Sequence, residues 1–153
     1  MTCFFHLDLG EEYSDHHSLF LSRAPYVFPE TRMHHTSFEV NDFDSQLLGH
    51  DWLLSRNYKL VWGVGRHILG SQIFDYWKDP SGFIIEHYTD GDLVNNKHRI
   101  TREPDGGALS LSVWGPAFNE RDFSGLSTLD LVTVMLRLAM WPFLYLQQTV
   151  MGQ

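Results

Sequence analysis

The sequence predicts an α+β fold in which one strand, one helix and three further strands follow one another between positions 33 and 90. Short runs rich in aromatic and β-branched residues, at 59–64, 71–77 and 83–89, are typical of strands. The last two are joined by "KDPSG", whose proline and glycine favour a tight turn. A chain of 153 residues is long enough to bury the core of one such domain.

Two strands are expected before this unit. "FFHLDL" (4–9) and "HHSLFLS" (16–22) alternate apolar and polar residues, which predicts an antiparallel pair. "MHHTSFEV" (33–40) predicts the next strand, and Asn41 or Asp42 then offers an N-cap for the helix. We expect this helix to bury one apolar face. That face comprises Phe43, Leu47, Leu48 and Leu54.

The C-terminal part of the chain has a different character. A polar segment at 95–107 is expected to be an exposed loop, and an apolar segment follows at 126–148. The apolar segment contains Asp130, Arg137 and Pro142, which argue against a membrane span and favour an amphipathic or docking helix.

Charge and cysteine content argue against a nucleic-acid-binding protein and against a disulfide-bonded one. The net charge of −8, without a stripe of lysine and arginine, makes nucleic acid an unfavourable partner. The single cysteine, Cys3, cannot form an internal disulfide, and no secretory signal opens the chain, so a reducing, cytoplasmic setting is expected. Nine histidines, several of them in adjacent pairs, make metal chemistry worth testing.

Tyr76 and Glu86 are expected on one face of neighbouring strands. Side chains alternate across a strand, so the two faces coincide if the turn pairs residues whose numbers sum to an even value. A glutamate flanked by Ile84 and Ile85 is costly to bury alone. Glu86 should therefore have a cation or a hydrogen-bond donor as its partner.

Five polar side chains are candidates for a site, and each has a structural alternative. His35 and Glu86 supply two of the three ligands of a facial triad that binds Fe(II), or they are a strand histidine and an ion-paired glutamate. His17 can act as a general acid and base, or it is a surface histidine. His67 and Tyr76 can donate hydrogen bonds to an anionic ligand, or they are a loop histidine and a core tyrosine.

Four motifs together carry a resemblance to a known family. "DHHSLFL" (15–21), "MHHTSFEV" (33–40), "GRH" (65–67) and "FDYWKDPSGFIIEHYTD" (74–90) resemble the catalytic domain of the type I extradiol ring-cleavage dioxygenases. These are members of the vicinal oxygen chelate superfamily, with the glyoxalases and bleomycin-resistance proteins. The resemblance extends to "WGP" at 114–116.

The resemblance implies a fold of paired βαβββ modules, each forming half of a barrel of mixed sheet around the metal. One complete module is expected at about 33–90, preceded by the last strands of another. The partial catalytic domain would then span 1–118, and 119–153 would be a helical extension.

The resemblance also implies a function for each candidate residue. His35 and Glu86 are expected to bind Fe(II), with Mn(II) or another divalent ion as the alternative. His17 is expected to be the acid and base, His67 a hydrogen-bonding neighbour of the metal, and Tyr76 the support of a deprotonated catechol oxygen. The expected substrates are a catechol-type compound and O2, and the product is a ring-opened semialdehyde.

The chain departs from the family pattern at the first metal ligand. That histidine lies in the preceding module of the family, and His6 does not match it. A truncated sequence, a half-domain completed by a partner, and an inactive remnant are three explanations, of which truncation is the preferred one. The alternative function is that of a non-catalytic or glyoxalase-like binding protein. Exposed sheet edges further predict a homo-oligomer.

Overall fold

The computed structural model describes residues 2–23, 31–102 and 111–119, together with the helical positions 123, 132, 135, 136 and 139. The chain divides into two compact units, one of residues 1–23 and 33–123 and the other of residues 24–32 and 124–153. All elements described below lie in the first unit. They are β1 (Thr2–Phe5), β2 (Ser14–Asp15), β3 (Leu19–Ser22), β4 (Thr36–Glu39), α1 (Phe43–Ser55), β5 (Leu60–His67), β6 (Ile73–Lys78), β7 (Ile84–Thr89), β8 (Leu93–Val94) and β9 (Ser112–Trp114).

A five-stranded mixed sheet forms the centre of the first unit. Its strand order is β4-β7-β6-β5-β9, with β4 parallel to β7 and the other neighbours antiparallel. The strand, helix and three strands from β4 to β7 confirm the α+β order expected from the sequence. Tyr76 and Glu86 are direct cross-strand partners, so the condition under which they share a face is met.

Helix α1 begins as expected but does not bury the expected face. Asp42 is the N-cap, and its side chain accepts a hydrogen bond of 2.7 Å from the backbone N–H of Ser45. The expectation that α1 buries this apolar face is wrong, because each of its four residues remains at least 38% exposed. They are Phe43, Leu47, Leu48 and Leu54. The buried residue of α1 is Gln46, which donates hydrogen bonds from Nε2 to two carbonyls of the sheet.

Several strand boundaries also differ from the expectation. The strand predicted at 33–40 begins at Thr36, so His35 lies one residue before it and not on it. Strand β5 extends to His67, which removes the interpretation of this residue as a loop histidine. The antiparallel pair near the N-terminus is confirmed, but it is limited to β1 and β3.

The two faces of the sheet have different contents. One face carries the core cluster of Val61, Trp62, Phe74, Tyr76 and Ile84, with Phe118 and Phe123 packed against it. On the other face, Asp75 points toward α1, and its carboxylate is 3.0 Å from Nδ1 of His50 in that helix. Among the described residues, no helix is both long enough and apolar enough to cross a membrane.

Candidate active site

Glu86 is the buried centre of the candidate site. Its side chain is 5% exposed and extends from β7 on the same face as Tyr76. Ser37, its parallel partner on β4, donates a short hydrogen bond from Oγ to Oε2. The expectation that this glutamate has partners is met. The other carboxylate oxygen, Oε1, is buried without a hydrogen-bond partner.

His35 is directed at Glu86 from the residue that precedes β4. Its Nε2 lies 3.3 Å from Glu86 Oε2, and its ring packs edge-on against Tyr76 at a centroid distance of 5.2 Å. The Nδ1 of His35 is 2.6 Å from Nδ1 of His34, so one of these two nitrogens donates to the other. His34 is thus a neighbour of His35, and the Nε2 of His35 faces the carboxylate.

His67 and Tyr76 form a hydrogen-bonded pair beside the same carboxylate. His67 Nε2 is 3.0 Å from Tyr76 Oη and 3.7 Å from Glu86 Oε1. Because Nδ1 of His67 is 3.0 Å from the carbonyl oxygen of Leu111, Nδ1 is assigned the proton. In this neutral tautomer, Tyr76 Oη donates to Nε2.

The electrostatics of Glu86 and Tyr76 depend on each other. Burial acts to raise the pKa of Glu86, but the neighbouring imidazoles of His35 and His67 outweigh it and hold this pKa well below its usual range. Burial and the negative charge of Glu86 raise the pKa of Tyr76 well above its usual range. The glutamate is therefore ionised and the tyrosine protonated at neutral pH.

His17 approaches the group from the connection between β2 and β3. Its ring packs edge-on against Phe4 at 4.7 Å, and its Nδ1 is 3.2 Å from Nδ1 of His16. Burial first, and then His16, lower the pKa of His17 to about 4, against the opposing charge of Glu86. His17 is therefore neutral at pH 7 and able to accept a proton.

Sequence reasoning missed several contributors to the site. Ser37 lies two residues after His35 and shares its direction, so the alternation of the strand could have indicated it. Phe123, which packs against Tyr76 at 4.9 Å, is a single aromatic residue in a polar stretch and carries no signal of its own. The tie between Tyr88 and Asp15, whose side chains are 2.7 Å apart, joins residues distant in sequence and leaves no local pattern.

The side chains around Glu86 offer a divalent metal two ligands. His35 Nε2 and the free Oε1 of Glu86 suit such an ion, which prefers an imidazole and a carboxylate. A facial triad also requires a second histidine, and no three His, Cys, Asp or Glu side chains of the described residues are placed to hold one ion. All nine histidines of the sequence lie among those residues. These residues therefore fit two positions of such a centre and leave the third without a donor.

The chain is similar to curated proteins of named activity. The chain is 32% identical over 116 residues to a protein named metapyrocatechase 2 from Cupriavidus necator, covering 76% of this chain and 34% of that protein. It is 31% identical over 104 residues to an iron-dependent extradiol dioxygenase from Rhodococcus jostii strain RHA1, covering 68% and 32%. The chain thus spans about a third of the length of the curated relatives it matches. No family model matches the chain.

Comparison with solved structures supports the fold. A Mn(II)-bound glyoxalase from Novosphingobium aromaticivorans superposes with a TM-score of 0.57 at 21% identity, over 74% of this chain and 38% of that one. A catechol 2,3-dioxygenase gives a TM-score of 0.54 at 18% identity, over 74% and 35%. At these identities the likeness concerns the fold alone. The relatives and the fold together confirm the resemblance to the extradiol dioxygenases that the motifs predict.

Proposed function

We propose that this chain provides part of the active site of an Fe(II)-dependent extradiol dioxygenase, which opens the ring of catechol-type substrates with O2. The observation that carries the proposal is the pairing of His35 Nε2 with the buried carboxylate of Glu86 at 3.3 Å, beside an oxygen that lacks a hydrogen-bond partner. The names of the curated relatives support the same reaction. Mn(II) or another divalent ion is the alternative to iron.

The proposal requires a third protein donor in addition to these two. Every histidine of the sequence is described, and none of them joins His35 and Glu86 in a group that could hold one ion. A third donor would therefore come from another polypeptide segment or from a small molecule. Its absence predicts weak metal retention by the chain alone, since affinity depends on the number and type of ligands.

The remaining residues are proposed to manage the protons and charge of the substrate. His17, neutral at pH 7, would take a proton from a catechol hydroxyl and later return it. Tyr76 Oη, now donating to His67 Nε2, would turn its hydrogen bond to an oxygen of the deprotonated catechol. The product, a semialdehyde of the muconic type, contains both atoms of O2.

Metal retention and ring cleavage test the proposal together. The chain is loaded with Fe(II) without oxygen, desalted, and analysed for bound iron; catechol and O2 are then added and the yellow product is recorded. We expect added imidazole to increase iron retention in the wild type, because it supplies the missing donor. Glu86→Gln should lose this retention, whereas the exposed Glu12→Gln should behave as the wild type. A folded, iron-loaded wild type that forms no product would reject the activity.

A non-catalytic binding protein is the second candidate function, and one observation favours it. The described residues lack a complete set of metal ligands, yet they surround a polar site with the aromatic rings of Trp62, Tyr76 and Phe123. Calorimetric binding of catechol to metal-free protein, unchanged by Glu86→Gln and without ring cleavage, would favour this function over the first.

A further inference from the structure

A side-chain hydrogen bond connects the segment that carries His17 to the strand that carries Glu86. Tyr88 Oη donates to Asp15 Oδ2 at 2.7 Å, although 73 positions separate the two residues. Tyr88 follows Glu86 by two residues on β7, and Asp15 precedes His17 by two residues on β2. The bond thus joins two parts of the chain that the candidate site has to keep together.

Few backbone hydrogen bonds hold the segment of residues 10–18, and they are scattered along it. Strand β2 comprises two residues and pairs with the equally short β8. Three further backbone bonds hold the segment, from His16 N to Asp92 O at 3.0 Å, from Ser18 N to Phe5 O at 2.8 Å and from Asn96 N to Gly10 O at 3.0 Å. Isolated two-stranded ladders are marginally stable at best. A hydrogen bond to a carboxylate, which is stronger than a neutral one, therefore adds measurably to what fixes the segment.

The packing around His16 and His17 leaves little room for either ring to move. Gly70 lies under His16, where a Cβ would approach His16 Nδ1 to 2.9 Å. Phe4 closes the other side of His17 at a ring distance of 4.7 Å. A shift of Asp15 along the chain would therefore be passed to the imidazole of His17, two residues away.

We propose that Tyr88 is a positioning residue, which holds His17 in place over the candidate site by anchoring Asp15. The inference rests on the proposed function, because it assigns a purpose to the placement of His17. In this proposal Tyr88 does not contact the substrate. The tie acts through the chain from Asp15 to His17.

Hydrogen exchange of the full 153-residue chain tests the tie without any need for activity. Tyr88→Phe keeps the ring and removes the hydroxyl, and we expect the amides of residues 10–18 to exchange about tenfold faster, the effect of losing one charge-assisted bond. Asp15→Ala should produce the same change from the other side, and the double variant should add little to either. Tyr13→Phe removes an exposed hydroxyl from the same segment and should have no effect.

The reactivity of His17 separates positioning from a merely structural tie. Diethyl pyrocarbonate modification, located by mass spectrometry, should be several-fold faster at His17 in Tyr88→Phe, while the rate at His50 on α1 stays constant. In preparations that cleave catechol, kcat should fall about tenfold with KM almost unchanged, as expected for a displaced proton-transfer group.

These experiments distinguish a failure of the positioning role of Tyr88 from a failure of the proposed function. Unchanged exchange in residues 10–18 for both Tyr88→Phe and Asp15→Ala, or an equal rise over the whole sheet, would overturn the inference. An unchanged rate of modification at His17 would do the same. If no preparation cleaves catechol but the exchange and modification respond as expected, the tie stands and the proposed function fails.

Discussion

The pKa values of two buried carboxylates on neighbouring strands, Glu86 and Asp75, are shifted in opposite directions. Glu86 faces two imidazoles, which hold its pKa well below the usual range in spite of burial. Asp75 lies on the opposite face, where burial raises its pKa against hydrogen bonds from Trp77 and His50. The environment of each group, and not its depth alone, decides the direction of the shift.

The raised pKa of Asp75 predicts a stability that declines as the pH rises. The unfolded chain releases this proton near pH 3.8, before the folded chain does, so the free energy of unfolding falls between that pH and the folded pKa. Asp75→Asn should remove this part of the decline, by about 1.4 kcal/mol for each unit of pKa difference. Urea unfolding at a series of pH values measures it. The exposed Asp51→Asn serves as control, and parallel curves for wild type and Asp75→Asn would contradict the prediction.

Gly70 should be less tolerant of substitution than Gly82. Both have a positive φ, of 77° and 89°, so an alanine is strained at either position. A Cβ at Gly82 meets nothing within 4 Å, whereas at Gly70 it meets His16. We expect Gly82→Ala to lose about 1–2 kcal/mol of unfolding free energy, and Gly70→Ala to lose more and to shift the NMR signals of the His16 ring. Equal losses without such a shift would show that His16 moves aside freely.

At the scale of elements, the succession of strands and helix along positions 33–90 followed from the sequence, whereas the order of the strands in the sheet and the orientation of the helix did not. Alternation in 71–77 and 83–89 placed Tyr76 and Glu86 on one face if the turn paired residues whose numbers sum to an even value, and the structure meets this condition. Strands β2, β8 and β9 contain two or three residues, too few for any periodicity to show. In α1 the assumption that apolar residues face the sheet failed, because Gln46 takes that position.

Gln46 should matter more for stability than its exposed leucine neighbours. Its amide donates to Ile73 O at 3.1 Å and His87 O at 3.0 Å and is 2% exposed. Gln46→Ala should cost roughly 2 kcal/mol, since two buried hydrogen bonds are lost. Leu48, at 72% exposure, is the matched control, and Leu48→Ala should change the free energy of unfolding by less than about 0.5 kcal/mol. A larger cost for Leu48→Ala in urea unfolding would show that this part of α1 is covered.

At the scale of the whole molecule, the sequence indicated which residues meet but not how they are held. His17, His35, His67, Tyr76 and Glu86 were expected together, and the distances around Glu86 are short enough for His35 and His67 to act on it. The tie from Tyr88 to Asp15 and the contact of Gly70 with His16 depend on tertiary packing. No local pattern encodes contacts between such distant residues.

The paired strands β1 and β3 present two different faces. Phe4 and Phe20 turn toward the histidines, with His17 at 4.7 Å from Phe4 and His34 at 5.4 Å from Phe20. The opposite face carries Phe5, Leu19 and Leu21, at 47%, 53% and 55% exposure. A two-stranded pair with an exposed apolar face is expected to associate.

Self-association through this outer face of β1 and β3 is the expected state of the chain in solution. Light scattering after size-exclusion chromatography should give the mass of a dimer that dissociates on dilution. Leu21→Lys places a like charge on both copies of the face, and so it should reduce the mass to that of a monomer while leaving the fold intact, because Leu21 is already exposed. Leu48→Lys places the same charge on α1 and should leave the dimer unchanged. A wild type that is monomeric at every concentration, or a dimer sensitive to Leu48→Lys and not to Leu21→Lys, would contradict the prediction.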